Sequence, residues 1–294
     1  MTMSEIAQTL VGGLAVGSVY ALIALGMSLI YSMSRVINLA QGAFVVLAAL
    51  TAVSLDDRFG LNPVVLLIVT AVIFAVVLAV IDQVVIRPAA KRATPERMLL
   101  ITVGLLQAVG GFLLIVYGNL PYTLKAFSQP SSVTLLGVRV ATQDFWIFGV
   151  LLLSVVALWF LLQRTGLGLT MRATAQDPRA ASLMGVNVDR VRLVAFSMAG
   201  AMAAMAGAAI VPLTFLQYDT VVPYAVNGFI AAVIGGLGSA TGALAGGLVL
   251  GVLEGLFSRY TPASTAEVLA IGVLIVVLLV RPAGLRGKLE EVRR

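Results

Sequence analysis

The sequence predicts an all-α fold, a polytopic bundle of eight or nine transmembrane helices. Of its 294 residues, 60% are apolar and only 11% are charged, whereas a soluble domain carries about 25% charged residues. So few charges cannot cover a surface that faces water. At about 20 residues for each span, the apolar residues suffice for eight or nine crossings. The composition therefore excludes a soluble globular enzyme.

Apolar runs follow one another along the whole chain. They occupy residues 10–31, 36–54, 63–86, 98–117, 145–163, 191–215, 224–257 and 266–281. The first run has no basic residue before it and is too long for the apolar part of a signal peptide, so we expect it to be a retained span. No break between the runs is long enough to separate a second domain. We therefore predict a single membrane domain over residues 1–294.

The run at 224–257 leaves the number of spans open. It is too long for one span and short for two, and the segment GGLGS (235–239) at its centre should break a helix, because each interior glycine costs about 1 kcal/mol relative to alanine. Two crossings here would give nine spans with a cytoplasmic C-terminal tail. A re-entrant pair would give eight and place the tail outside. We favour nine.

Basic residues indicate which loops are cytoplasmic. Of the 19 basic residues, 15 fall at Arg35, in the 87–97 loop, in the 164–192 segment and in the 281–294 tail. Cytoplasmic loops carry an excess of lysine and arginine, so these segments are predicted to lie inside, with the N-terminus starting outside. The net charge of +6 then reflects membrane orientation, and we expect no nucleic-acid partner.

Catalytic motifs are missing from the sequence. It has no cysteine and no histidine, which excludes disulfides and nearly every zinc, haem or iron–sulfur site. It also has no Walker A motif, no G-x-S-x-G and no H-E-x-x-H. We predict no catalytic residue, no metal site, no cofactor and no enzyme activity in this chain, which leaves transport as the natural class.

A short helix is predicted in the long cytoplasmic break at about 164–190. Asp177 suits its N-cap, Pro178 its first position and Gly185 the position after its end. Ala181 and Leu183 contribute to an apolar side of this helix of about seven residues. The pattern alone leaves two interpretations open: an ordinary structured loop, or an element that docks on a soluble partner.

Two further groups of residues indicate where helices pack together and where a solute could cross the membrane. Glycines spaced four apart, as at 247, 251 and 255, allow helices to approach closely in lipid. Polar side chains within spans usually face the protein interior or a water path. We therefore predict helix packing for Gly247, Gly251 and Gly255, and a translocation pathway near Asn38, Gln41 and Asn227, with Asn38 and Gln41 one helical turn apart. We expect Glu254 to be an interfacial acid near Ser258 and Arg259.

Four segments together resemble a known family. They are GSVYALIALGMSLIY (17–31) with VINLAQGAF (36–44), then GLGLTMRATAQDPRAASLMGVNVDRVR (166–192), AAVIGGLGSATGALAGG (231–247) and RPAGLRG (281–287). Their order and content resemble the permease subunits of branched-chain amino acid ABC importers. The resemblance implies a multi-pass protein of the bacterial inner membrane that moves an amino acid across the lipid bilayer.

The resemblance also implies partners and coupling residues. The partners are a homologous second permease, two soluble ATPase subunits that bind the ATP, and an extracytoplasmic solute-binding protein. The 177–185 helix would couple the permease to the ATPases. The residues of the matching motif that we assign to coupling are Arg172, Asp177, Pro178, Ala181, Leu183 and Gly185.

The solute is left open at this stage. Gln41 stands where the family more often has histidine, and similar permeases handle urea, amides and other amino acids as well as branched-chain ones. An ion-coupled secondary transporter is the alternative class. It is less favoured because its charged mid-span sites are nearly absent here.

Overall fold

The computed structural model describes residues 3–135, 138–260 and 271–277, together with residues 279, 281, 284 and 285. Helices dominate this part of the chain. They are α1 (Met3–Ser34), α2 (Gln41–Phe59), α3 (Pro63–Ile81), α4 (Arg87–Ala90), α5 (Pro95–Tyr117), α6 (Thr142–Arg164), α7 (Gly166–Gln176), α8 (Pro178–Leu183), α9 (Val188–Ile210), α10 (Val221–Gly235) and α11 (Ala240–Tyr260). A π-helical turn (Asp82–Ile86) joins α3 to α4, and a 3-10 turn (Tyr218–Thr220) precedes α10. Residues 271–277 are also helical.

Among the described residues, six helical segments are long and apolar enough to cross a membrane. They are Ser4–Ser34, Pro63–Ala90, Pro95–Tyr117, Thr142–Arg164, Val188–Ile210 and Ala240–Arg259. Two shorter helices, α2 and α10, lie within the same bundle and are extensively buried. The prediction of an all-α transmembrane bundle is confirmed.

Helix α1 lies at the centre of the bundle. Its residues from Val19 to Ile30 are almost completely inaccessible to solvent, and it packs against α9, α10 and α11. Large apolar side chains on α3 and α6 point outwards instead. Each of four such side chains is more than half exposed, as expected for surfaces that contact lipid: Ile68, Val72, Leu152 and Phe160.

The predicted second span has different bounds. Residues 35–40 are not helical, and α2 begins at Gln41 and continues to Phe59. The helix therefore includes Asp56, Asp57 and Arg58, which were expected to form a break between two spans. The carboxyl end of α2 is closed by Gly60, whose φ of 57° lies in the left-handed region that favours glycine.

The 224–257 run contains two helices, α10 and α11, joined by a turn at residues 236–239. Gly236 and Gly238 adopt φ values of 96° and 85°, which is why the turn requires glycine. The two helices approach so closely that a Cβ placed at Gly246 would lie 2.2 Å from the carbonyl oxygen of Ala231.

The predicted loops contain more structure than expected. Helix α7 occupies the first half of the 164–190 segment, where only the second helix was predicted. Its two glycines lower its helix propensity, but its partly buried face, including Met171, packs against the bundle. The polar stretch between α5 and α6 contains an antiparallel hairpin of β1 (Ser132–Leu135) and β2 (Val138–Ala141), with Ser132 opposite Ala141.

Hydrogen bonds identify one end of the bundle. At one end, the Ser32 hydroxyl donates to the carbonyl oxygen of Gly238 at 3.1 Å, and Arg35 donates to the carbonyl oxygen of Ala175 in α7 at 3.4 Å. The backbone N–H of Leu285 donates to Ile234 at the same end, at 2.8 Å. The predicted cytoplasmic segments around α1, α7 and the C-terminal region therefore meet on one side.

Candidate functional site

Helix α8 is capped at both ends by the residues that the sequence suggested. The Asp177 carboxylate accepts hydrogen bonds from the backbone N–H groups of Arg179, at 2.8 Å, and Ala180, at 3.1 Å. Pro178 is the first residue of the helix. Gly185 follows its end with a φ of 86°, a conformation that a side chain disfavours. These caps hold a short helix of six residues in one place.

The side chains of α8 divide between the bundle and the solvent. Ala181 is only 5% exposed, whereas Leu183 is 89% exposed and Met184, which follows it, is 85% exposed. This pair lies beyond the helices that could cross the membrane, at the end of the bundle predicted to be cytoplasmic. Two adjacent, exposed apolar side chains on a capped helix form a surface suited to a soluble partner.

Arg172 lies on α7, outside α8. Its guanidinium donates a hydrogen bond to the side-chain oxygen of Gln163, at 2.6 Å, and so ties α7 to the end of α6. The Thr165 hydroxyl accepts a hydrogen bond from the backbone N–H of Gly168 at 3.0 Å and caps the start of α7. Helix α7 is therefore connected firmly to a long helix of the bundle.

Asn38 and Gln41 lie close to the centre of the bundle but not on one helix. Asn38 belongs to the non-helical segment before α2, so the predicted spacing of one helical turn is wrong. Both side chains are almost completely buried, at 1% and 0% exposure. The Gln41 amide nitrogen donates to the carbonyl oxygen of Ala199 at 2.8 Å, and a Cβ at Gly26 would lie 2.6 Å from that nitrogen.

Asn227 belongs to a buried polar network that joins three helices. Its amide nitrogen donates to the Tyr20 hydroxyl of α1 at 3.0 Å. Tyr20 also interacts with Glu254 of α11 and packs edge-on against Tyr224, with ring centroids 6.3 Å apart. The sequence predicted that Glu254 lies near Ser258 and Arg259. It did not predict the contact between Glu254 and Tyr20. No role was predicted for Tyr20, whose only signal was a hydroxyl group within an apolar run.

The three glycines of α11 that were predicted to pack against another helix lie against α1. A Cβ placed at Gly251 would lie 2.2 Å from the Cα of Gly17, and one at Gly247 would lie 2.3 Å from the backbone nitrogen of Ala21. Gly255 is less tightly packed, with 3.0 Å to the Cα of Gly13. These three positions allow α11 to contact the backbone of α1 directly.

Comparison with known proteins identifies the family. The family model described as branched-chain amino acid transport system / permease component matches residues 9–278. The chain belongs to this permease family. Similar proteins include the high-affinity branched-chain amino acid transport system permease protein LivH of Salmonella typhimurium, 32% identical over 96% of both chains, and LivH of Escherichia coli K12, 31% identical over the same shares. BraD of Pseudomonas aeruginosa is 31% identical, again over 96% of each chain. No solved structure matches the chain.

Membership of this permease family, together with the long apolar helices, identifies the chain as a multi-pass protein of the inner membrane that functions in transport. Within the described residues, no group of three or more acidic side chains is arranged to hold a metal ion. The expectation that this permease subunit carries no cofactor of its own stays a prediction.

Proposed function

We propose that this chain is the membrane-spanning permease subunit of an ATP-driven importer that carries branched-chain or related amino acids into the cell. The observation that carries the proposal is α8, a capped helix with an exposed apolar pair on a permease that lacks a nucleotide-binding motif. The amino-acid substrate is supported by the names of the relatives, each similar over almost the whole chain. The energy comes from two separate ATPase subunits docked at α8.

The connections of α8 supply a route from the ATPases to the membrane. Movement of α8 is passed to α7, which packs against it. It then reaches α6, because Arg172 and Thr165 secure the junction between α6 and α7. On the other side of α8, the movement is passed to α9, which begins at Val188. Helix α9 packs against α1, α2 and α3, so its displacement changes the packing of the central helices and exposes the pathway alternately to each side.

The solute pathway in this proposal runs past the centre of α1. The side-chain oxygens of Asn38 and Gln41 are buried and have no hydrogen-bond partner among the described residues. Buried polar atoms normally have a partner, and non-helical backbone at membrane depth is tolerated where it lies within protein or lines an aqueous cavity. A transient hydrated pathway beside Asn38 and Gln41 supplies such partners, and Asn227 belongs to the same pathway.

The homologous second permease is proposed to pack on α5. The outward face of this helix carries four small or amide residues, all exposed at helical spacing: Gly104, Gln107, Ala108 and Gly111. Neither glycine has another described group within 4 Å of an added Cβ. The outward face of α5 also carries large exposed apolar side chains, including Leu100 and Ile115. Its small residues nevertheless leave room for a close helix, and the amide of Gln107 needs a hydrogen-bonding partner in lipid.

We also infer nine crossings, with the C-terminal region on the cytoplasmic side. The α10–α11 turn and Leu285 lie at the same end as Arg35. Because the chain has no native cysteine, single cysteines report sidedness cleanly. We expect an impermeant thiol reagent applied to intact cells to label Leu120→Cys but not Ser182→Cys or Leu285→Cys. Labelling of Leu285→Cys from outside would require eight crossings.

Affinity purification from the native membrane tests the proposed assembly. We expect the wild-type chain to bring down a second hydrophobic permease and ATPases that contain Walker motifs, with measurable ATPase activity. The double substitution Gly104→Leu/Gly111→Leu should reduce recovery of the second permease about tenfold or more, because the bulk prevents close helix approach. The matched control is Gly149→Leu, at an exposed glycine of α6 where no described group lies within 4 Å of an added Cβ, and it should change nothing. Recovery of the wild-type chain alone, without ATPase activity, would contradict the proposal.

A further inference from the structure

Four charged side chains meet where α3 ends and α9 begins. The Arg192 Nε atom lies 3.0 Å from one carboxylate oxygen of Asp82 and 3.4 Å from the other. Arg192 also approaches Asp189 at 3.8 Å, and Asp189 pairs with Arg87. We name these four residues the α3–α9 clamp. It joins positions more than 100 residues apart in sequence.

The clamp has a buried half and an exposed half. The side chain of Asp82 is 1% exposed and that of Arg192 is 13% exposed. Arg87 and Asp189 are 37% and 46% exposed, and exposed ion pairs contribute little to stability. The buried Asp82–Arg192 contact is different, because loss of one partner leaves a charge without compensation in a poorly hydrated site.

The position of the clamp relates it to α8. Asp189 and Arg192 lie in the first two turns of α9, only a short connection after Gly185. Asp82 opens the π-helical turn that links α3 to α4, and π-helical turns frequently occur at functional sites. Farther along the two helices, a Cβ at Gly200 would lie 2.1 Å from the carbonyl oxygen of Phe74. Helices α3 and α9 are therefore held together at their ends and along their length.

We propose that the α3–α9 clamp makes α3 move with α9 when the ATPases displace α8, so that Asp82 and Arg192 are positioning residues for the coupling of ATP hydrolysis to transport. The proposal rests on the proposed importer function. Helix α9 receives the movement from α8 through the backbone. The clamp transmits the movement of α9 to α3, whose lipid-facing side lies at the edge of the subunit. The buried ion pair links α9 at Arg192 to the end of α3 at Asp82.

Two double variants, one at the buried ion pair of the clamp and one at an exposed ion pair, separate coupling from stability. In Asp82→Leu/Arg192→Met both charges are removed together, a change that other proteins tolerate without loss of folding. The control is Glu5→Leu/Arg259→Met, which removes the ion pair between α1 and α11 at the other end of the bundle, where Arg259 and Glu5 lie 2.9 Å apart. Both variants are reconstituted with the second permease, the ATPases and the binding protein. The measurement is the ratio of ATP hydrolysed to amino acid transported.

We expect the clamp variant to keep its ATPase subunits and its ATPase activity, while uptake falls about tenfold and the ratio rises by the same factor. The control variant should match wild type in both its uptake and its ratio of ATP hydrolysed to amino acid transported. Wild-type uptake in the clamp variant would overturn the clamp proposal and leave the importer function intact. Equal loss of ATPase binding and uptake would also overturn it, since that result indicates a structural role alone. Absence of ATP-driven uptake by wild type would reject the importer function itself.

Discussion

The double substitution Leu183→Asp/Met184→Asp is expected to release the ATPase subunits and abolish ATP-driven uptake. Both side chains are more than four-fifths exposed in the isolated subunit, so their replacement does not disturb the core. Burying a leucine or methionine side chain contributes about 1.5–3 kcal/mol. Losing two such contacts weakens ATPase binding by about a hundredfold or more. The measurement is co-purification of the ATPases, followed by uptake in vesicles.

Leu120→Asp is the matched control for this change. Leu120 is also well exposed, at 67%, but it lies beyond the end of α5 that is opposite the predicted cytoplasmic segments. The control should retain the ATPases at wild-type level. If the Leu183→Asp/Met184→Asp variant still bound both ATPases with unchanged affinity, α8 would not be the docking element.

Gly251→Ala is expected to cause a large loss of stability although it adds only one methyl group. The added Cβ would lie 2.2 Å from the Cα of Gly17 and 2.5 Å from the carbonyl oxygen of Gly13. Backbone atoms cannot rotate away as a side chain does, so α1 and α11 must separate. Overpacking typically costs about 1–3 kcal/mol, and here it disrupts the central helix. We expect a clear fall in the Tm of the purified subunit and a low yield of folded protein.

A graded series makes this result specific. Gly255→Ala should be milder, because its Cβ would lie 3.0 Å from the nearest described atom. Gly12→Ala should leave the Tm unchanged, since no described group lies within 4 Å of an added Cβ there. Equal melting temperatures for Gly251→Ala and Gly12→Ala would show that the contact between α1 and α11 does not limit stability.

Local signals in the sequence predicted the features that depend on neighbouring residues. Asp177, Pro178 and Gly185 define the ends of α8 because an N-cap, a first-turn proline and a left-handed glycine act within a few residues. The same reasoning located the break between α10 and α11. It failed at α2, because burial beside α9 places Gln41 at the start of the helix and leaves Asn38 outside it.

The contacts between distant segments could not be read from the sequence. Asn227 and Tyr20 are 207 positions apart, and Arg192 and Asp82 are 110 apart. Nothing in either local pattern indicates which helix lies beside which. In the sequence, Asp82 is an acid near the end of a predicted span, and Tyr20 is one residue of another apolar run. Only the packing of α1 against α10 and of α3 against α9 brings these groups together.

The most direct test of the proposed importer is ATP-dependent uptake of a labelled branched-chain amino acid into proteoliposomes. The vesicles contain this chain, its partner permease and both ATPases, with ATP in the lumen and the solute-binding protein outside. We expect accumulation only when the binding protein and ATP are both present, and none with a non-hydrolysable analogue. Uptake at the same rate without ATP, or uptake driven by an ion gradient alone, would contradict the account and favour a secondary transporter.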